Sequence, residues 1–433
     1  MCYAIPALLI AIEGNIGIVD YFGEKRKILL DLEFEPVKVG DYIYAQGGVF
    51  VRKIAPKEAE EILAHWRNIF FELKKTDEAL SRIDQDKLSS NALAILQKVN
   101  LQKTLKKSEL LELFKLKAPE ELSVLYEIAN NVRQREHGNA SCIHGIIEFS
   151  NHCNQNCCYC GIRAERSGLT RYRLEIEEIL AIAKNAIDQH GFKAIVLQSG
   201  EDYWYDDAKL ENLVRNLRKM GVLVFVSLGL RSEETYRKLY KAGARAALMR
   251  FETSNEEIFS RIRPGTTLQD RLKLIRSLKD MGYVIATGFL VGLPGESDED
   301  IINNILLTKS LGPDMYSFGP FLPTVGTPME KEERISKELI LKTIAISRLL
   351  DYSSNILVTT ALETLDKEAK REGLLAGANS MMINITPEKY RSLYAIYDNR
   401  AAVDTVVSKA VQETVDLLYS LGRAPTDLGF ISG

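Results

Sequence analysis

Cys153, Cys157 and Cys160 constrain what this chain can fold into more than any other feature. They stand in a C-x3-C-x2-C spacing inside Glu148–Arg163, which reads Glu-Phe-Ser-Asn-His-Cys-Asn-Gln-Asn-Cys-Cys-Tyr-Cys-Gly-Ile-Arg. Three thiolates this close cannot all reach one metal centre along a regular strand. A loop leaving a strand can wrap them round a cubane cluster. Soft thiolates suit iron–sulfur chemistry, and three protein ligands on four irons leave one iron open. A structural zinc site is the alternative. Zinc takes four ligands, often as paired C-x2-C units, and the other cysteines are only Cys2, Cys142 and Cys158. His144 or His152 would then have to supply a nitrogen.

The 433 residues suffice for one large or two to three ordinary domains, with a hydrophobic fraction of 46% to build a core. The net charge of −3 gives no bulk attraction to nucleic acid. Met1–Ile12 is apolar, but no basic segment precedes it and Glu13 ends it. The run is too short to span a bilayer and lacks signal-peptide architecture, so no membrane association is expected. Six cysteines, four of them in one loop, make no disulfide framework. A reducing cytoplasm is the expected location.

Residues 1–75 show short apolar runs (Leu8–Ile12, Ile16–Tyr21, Lys27–Leu32, 37–46 and Val49–Ile54) punctuated by Gly14, Gly23, Gly40 and Gly47-Gly48. Strands at this spacing predict a small β-barrel, followed by a helix over Pro56–Lys74. Residues 76–142 form a linker and helical segment, with the charge-rich Thr76–Lys87 as the linker. From Ile143 to about residue 390 the pattern alternates strand and helix. The apolar strands are Ile143–Phe149, Ala194–Gln198, Val222–Leu228, Ala246–Phe251, Val284–Val291, Met315–Phe318, Ile356–Thr359 and Asn379–Ile383. Eight β-then-α repeats describe an α/β fold of the parallel (β/α)8, or TIM, barrel type, with a helical extension over 391–433. Functional groups then belong at the C-terminal strand ends, where the cysteine loop falls.

Other strand ends carry polar groups. Gln198-Ser-Gly-Glu-Asp202 follows the second strand, where Ser199, Gly200 and Glu201 can hold an ammonium. Arg250 and Glu252 end the fourth and, two apart on a strand, would face the same way into the barrel. A structural Arg–Glu pair is the alternative for these two. Arg271 follows, suited to a carboxylate. Thr359 and Thr360 end the seventh strand with two hydroxyls for an anion, and Tyr390, Tyr394 and Tyr397 follow the eighth at a spacing that fits core or site.

The cysteine triplet, with Tyr159 before its last member and Gly161 after it, resembles the radical S-adenosylmethionine (radical SAM) family. That resemblance selects Cys153, Cys157 and Cys160, not Cys158, as ligands of a [4Fe–4S] cluster whose open iron chelates SAM. It implies that Glu201 binds the amino group of SAM. A longer set of motifs is similar to the HydE-type maturases of iron-iron hydrogenase: Ile-Ile-Glu-Phe-Ser-Asn-x-Cys, Arg-Tyr-Arg at 171–173, Ile-Val-Leu-Gln-Ser-Gly-Glu-Asp, Arg-x-Glu-Thr, Val-Gly-Leu-Pro-Gly, Gly-Pro-Phe-x-Pro at 319–323 and Thr-Thr-Ala at 359–361. That resemblance implies that Tyr159, Ser199, Gly200, Glu201, Arg250, Glu252 and Arg271 surround SAM or an anionic substrate. Thr359 and Thr360 would line an anion site, and Met382, Tyr394 and Tyr397 the cavity wall. The implied substrate is small, either an organometallic or a thiol compound, and reduced ferredoxin or flavodoxin is the implied electron donor. The chain departs from that family at Phe225, Leu230, Phe251 and Leu290, positions expected in the cavity, and carries no cysteines for a C-terminal accessory cluster.

Met-Cys at the start, Pro6 and the Val-Gly-Asp-Tyr strand resemble the HypC-type chaperones of nickel-iron hydrogenase maturation. The resemblance implies an iron fragment on Cys2 and docking of other maturation proteins through 1–75. The family's second functional residue, a histidine, falls near Gln46, and no histidine stands there. Two other readings stay open: a radical SAM enzyme acting on an organic substrate, as biotin synthase and methylornithine synthase do, and a non-catalytic iron-binding scaffold.

Overall fold

The computed structural model describes residues 5–32, 34–83, 90–101, 103–426 and 430–431; Cys2 lies outside them. The chain opens with β1 (Ala7–Glu13), β2 (Ile16–Tyr21), β3 (Glu24–Leu29), β4 (Tyr42–Gln46) and β5 (Val49–Ile54). Burial alternates along β2, placing every second side chain on a small core. The strands run in the order β3-β2-β1-β4-β5, and a β3–β5 pairing closes them into the expected small barrel.

The helix Pro56–Leu80 begins on proline, whose missing N–H is no loss there. Trp66, Phe70 and Leu73, spaced four and three apart, pack into the small barrel's core. The expected end at Lys74 and linker from Thr76 are corrected here: the helix continues to Leu80. Asp77 explains why. Its carboxylate accepts two bonds from Arg133 of the helix Pro119–His137, at 2.8 and 2.7 Å. Arg133 also donates to Asn130, and Arg423 donates to the same amide oxygen at 3.0 Å. A segment rich in charge reads as a linker until its buried partners are known. Residues 84–89, the rest of the expected linker, lie outside the described residues.

The large barrel follows with β6 (Cys142–Ser150), β7 (Ala194–Ser199), β8 (Leu223–Ser227), β9 (Ala246–Leu248), β10 (Val284–Thr287), β11 (Leu290–Val291), β12 (Met315–Tyr316), β13 (Gly319–Pro320), β14 (Asn355–Val358) and β15 (Ser380–Asn384). Eight of these close in the order β10-β12-β14-β15-β6-β7-β8-β9, with β11 and β13 as a separate pair. The eight expected strands are all present. The fourth and fifth are shorter than expected: the fourth ends at Leu248 rather than Phe251, with a left-handed φ of 71° at Glu252 beyond it, and the fifth ends at Thr287 rather than Val291, its last residues pairing outside the barrel as β11. The C-terminal part is more than a helical extension: after the helix Val407–Ser420, β16 (Phe430–Ile431) returns to pair with β3. Among the described residues no helix is long and apolar enough to cross a membrane.

The small barrel stoppers the N-terminal mouth of the large one. Gly47 (φ 59°) and Gly48 (φ 73°) form the two-residue turn between β4 and β5; left-handed conformation at both central positions is what a type I′ hairpin needs. Val49 and Val51 behind it pack on Ala194, Leu223, Ala246 and Val284, the first residues of four barrel strands. Arg218 donates to the Val51 carbonyl at 2.6 Å, and Arg245 and Arg218 converge on Asp31 at 3.0 and 3.5 Å. The small barrel is therefore fixed in place by apolar packing and a buried ion cluster.

Candidate active site

β6 delivers the cysteine loop to the C-terminal mouth of the large barrel. The loop is held by side chains from outside it. Arg171 donates to the carbonyls of Asn151, Ile162 (2.8 Å) and Arg163 (2.6 Å), and Arg166 to that of Gly161 (2.8 Å). Asn151 reaches the carbonyls of Thr170 and Leu393. Tyr172 donates to the Glu148 carbonyl at 2.6 Å, while Arg173 binds Asp202 at 2.7 and 3.0 Å. The Arg-Tyr-Arg text at 171–173 is thus scaffolding for the loop.

Cys153, Cys157 and Cys160 line one cavity of about 610 Å³. Cys158 does not. Its thiol donates to the Arg261 carbonyl at 3.4 Å and its N–H to that of Ile262 at 2.8 Å, turning it towards the helix Glu256–Ile262. The Cys153 sulfur accepts the backbone N–H of Glu201 at 3.4 Å. Burial raises the thiol pKa of Cys153, Cys157 and Cys160. Glycines allow the close approaches: a Cβ on Gly200 would stand 2.2 Å from the His152 carbonyl oxygen, and one on Gly161 2.0 Å from that of Ala395.

The cavity also takes in Tyr159, Ser199, Gly200, Glu201, Arg250, Glu252, Arg271, Thr359, Thr360, Met382, Tyr394 and Tyr397. The expected site residues are therefore brought together, except Cys2 and Tyr390, which stacks on Tyr172 outside the cavity lining. Arg250 and Glu252 reach the cavity from beyond the end of β9, not from the strand itself. They are not partners of each other. Glu252 lies 3.8 Å from Arg263, and Arg250 reaches Ser317 at 3.4 Å.

Arg263 is the main residue that the sequence reading passed over. It is buried between Glu201 (3.6 Å), Glu252 (3.8 Å) and the Tyr159 hydroxyl, to which it donates at 3.0 Å. Burial works against its charge, but Tyr159, Cys157, Glu252 and Glu201 outweigh burial and raise its pKa. Arg271 stands 3.3 Å from Glu201 and donates to the Arg250 carbonyl at 2.5 Å. Burial, and then the Arg263 cation, lower its pKa.

A second omission is Glu148, buried on β6 beneath the loop. Arg400 pairs with it at 2.5 Å and Asn384 donates to it at 2.7 Å. Arg400 also approaches the Tyr394 and Tyr397 rings at 5.6 and 5.7 Å. Both residues line the cavity, as does Asn384. The expectation that Phe225, Leu230, Phe251 and Leu290 alter the cavity holds for Leu290 alone, which lines it. Phe225 stacks edge-on to His144 below, and Phe251 packs on Phe289.

The residues present fit an iron–sulfur cluster with SAM. Three thiols converge on one space, and several residues that line it carry buried polar atoms without partners. Glu201 Oε2 and Thr359 Oγ1 are buried without hydrogen-bond partners, a state that folded proteins rarely leave uncompensated.

Comparison with known proteins agrees with this geometry. Residues 147–307 match the radical SAM superfamily, residues 1–66 the HupF/HypC family, and residues 317–422 the Biotin and Thiamin Synthesis associated domain. The chain is 40% identical over 304 residues to the [FeFe] hydrogenase maturase subunit HydE of Thermotoga maritima, covering 70% of this chain and 86% of that one. It is 34% identical over 276 residues to a 3-methylornithine synthase of Methanosarcina acetivorans, covering 63% and 77%. Among solved structures, methylornithine synthase superposes with a TM-score of 0.70 at 27% identity, covering 77% of this chain and 98% of that one. HydG from Carboxydothermus hydrogenoformans, at 20% identity and a TM-score of 0.61 over 82% and 93% of the two chains, shares the fold.

Proposed function

Because this chain belongs to the radical SAM superfamily, as a HydE-type enzyme with an N-terminal HupF/HypC-family domain, we propose that it cleaves SAM reductively and serves hydrogenase metallocofactor assembly, acting on a small iron-containing or thiol-containing substrate. As such an enzyme it binds a [4Fe–4S] cluster and SAM. Together, when bound, these supply a 5′-deoxyadenosyl radical.

The chain's own residues have separate tasks in this reading. Cys153, Cys157 and Cys160 would hold the cluster as thiolates, giving up their protons on binding it. Glu201 accepts the α-ammonium of SAM on Oε2, its oxygen that lacks a partner. Arg271 and Arg263 pair with its other oxygen, Oε1, and hold the side chain in place. Arg250 and Glu252 flank SAM or an anionic substrate. Thr359 donates its unpartnered hydroxyl to an anionic substrate group, with Thr360 beside it. Met382, Tyr394 and Tyr397 form the apolar wall that keeps water from the radical. Reduced ferredoxin or flavodoxin supplies the electron, and residues 1–75 dock other maturation proteins.

The convergence of three cysteines and the orphaned Glu201 oxygen on one cavity carries this reading. The test is anaerobic reconstitution with iron and sulfide, then reductant and SAM, scoring 5′-deoxyadenosine by chromatography. Candidate substrates are ranked by how far they stimulate its formation. Stimulation by an iron–cysteine complex and not by amino acids supports the maturase reading. Stimulation by an amino acid alone replaces it with organic-substrate chemistry.

A further inference from the structure

Below the cavity, three buried polar side chains meet where the small barrel stoppers the large one. Cys142 opens β6 and His144 follows two residues later, so strand alternation turns both to the same side. Ile146 and Glu148, next in that series, line the cavity. Gln46 ends β4 of the small barrel, just before the Gly47-Gly48 turn. Exposure is 2% for Cys142, 0% for His144 and 1% for Gln46. The Cys142 sulfur lies 3.3 Å from His144 Nε2 and accepts from Gln46 Nε2 at 3.0 Å. Among the described residues that sulfur is the only hydrogen-bond partner of the His144 ring. Gln46 Oε1, in the same amide group, is buried with no partner.

A buried imidazole and a buried carbonyl oxygen normally find better partners than one thiol. We propose that Cys142, His144 and Gln46 form a second metal site, separate from the cavity cysteines, for a borderline or soft divalent ion such as Fe(II) or Zn(II). Thiolate sulfur and imidazole nitrogen are the donors such ions favour. On a tetrahedral ion, bonds of about 2.3 Å to sulfur and about 2.0 Å to nitrogen place these donors about 3.5 Å apart; the observed separation is 3.3 Å. A half-turn of the Gln46 amide exchanges its oxygen and nitrogen and brings Oε1 to the ion as third donor. Binding releases the Cys142 thiol proton.

The site would take one ligand from the small barrel and two from the large one. His144 pairs in register with Met382, which lines the cavity above. A bound ion would therefore sit one strand step under the cavity floor, between the two barrels. This assignment is independent of what the cavity above acts on.

The test uses the full chain with Cys153→Ser, Cys157→Ser and Cys160→Ser together, which removes the cluster ligands. Anaerobic Co(II) titration should show one cobalt per chain with a thiolate-to-cobalt charge-transfer absorption. Adding Cys142→Ser should abolish that absorption. Adding His144→Phe or Gln46→Leu should weaken cobalt binding by at least about tenfold, the scale on which even outer-shell partners act. Gln46→Leu lies on the small barrel and reads the site even if changes on β6 disturb folding. Absence of the absorption, its survival in Cys142→Ser, or its loss in Cys2→Ala or Cys158→Ala would overturn the assignment.

Discussion

Glu201→Gln tests the SAM-binding role with almost no change of shape. Oε1 of Glu201 already serves Arg271 at 3.3 Å and Arg263 at 3.6 Å, while Oε2 is buried without a partner. An ammonium of SAM on that oxygen would make a charge-assisted hydrogen bond, a contact worth about 1.5–3 kcal/mol. Removing the negative charge should weaken SAM binding by about 10- to 150-fold, at about 1.4 kcal/mol per decade. The assay is anaerobic equilibrium binding of SAM to reconstituted protein, with iron and sulfide content measured in parallel. Cluster content should be unchanged, because Glu201 touches Cys153 through its backbone N–H and not its side chain. A SAM analogue lacking the α-amino group should bind the two proteins equally. The melting temperature should fall, since Arg263 and Arg271 lose a shared anion. Unchanged affinity for SAM, or an equal loss for the amino-free analogue, would refute the assignment.

Three further outcomes follow from the same geometry. Cys157→Ala should abolish 5′-deoxyadenosine formation while Cys158→Ala retains it, because Cys158 bonds to the Arg261 carbonyl away from the cavity; chromatography of the products decides, and equal loss would undo the ligand choice. Asp77→Ala should destabilise the protein by about 3–5 kcal/mol in denaturant unfolding, since it leaves the Arg133 guanidinium buried without its carboxylate; a loss under about 1 kcal/mol would mean that Asn130 and Ser81 suffice. Acid should also destabilise the fold through His137, whose pKa is held well below 6.5 by burial and by the nearby Arg348 cation. Below about pH 6.5 only the unfolded chain takes up that proton, so stability falls by about 1.4 kcal/mol per pH unit. His137→Gln should flatten that part of a pH–stability curve measured by urea unfolding.

The elements legible in the sequence were those whose signal is local. The cysteines stand within eight positions of one another on one loop, so the motif that carries the radical SAM resemblance is legible without the fold. The strands of the large barrel show as short apolar runs because both faces of each are covered. Gly200 and Gly161 were readable within motifs, although the reason for each is a carbonyl from elsewhere in the chain. Where a charged residue had its partner far away, the local reading went astray. Asp77 looked like part of a linker because Arg133 is 56 residues off. Glu148 and Arg400, 252 residues apart, were not assigned at all. Arg263 sat in a Pro-Gly turn that gave no hint of the two carboxylates around it.

The sequence by itself determined the position of the cysteine loop at a strand end, the order of the eight strands and the presence of a small barrel ahead of them. These follow from spacing and periodicity, which act over a few residues and survive without knowledge of the fold. The tertiary structure alone decided that Arg250 and Glu252 are not a pair and that the Gly47-Gly48 hairpin closes the large barrel's mouth. It also decided that Gln46 of one barrel meets Cys142 and His144 of the other. The physical reason is range. Propensity and pattern fix how a segment lies, whereas burial and electrostatics depend on which distant segments close over it.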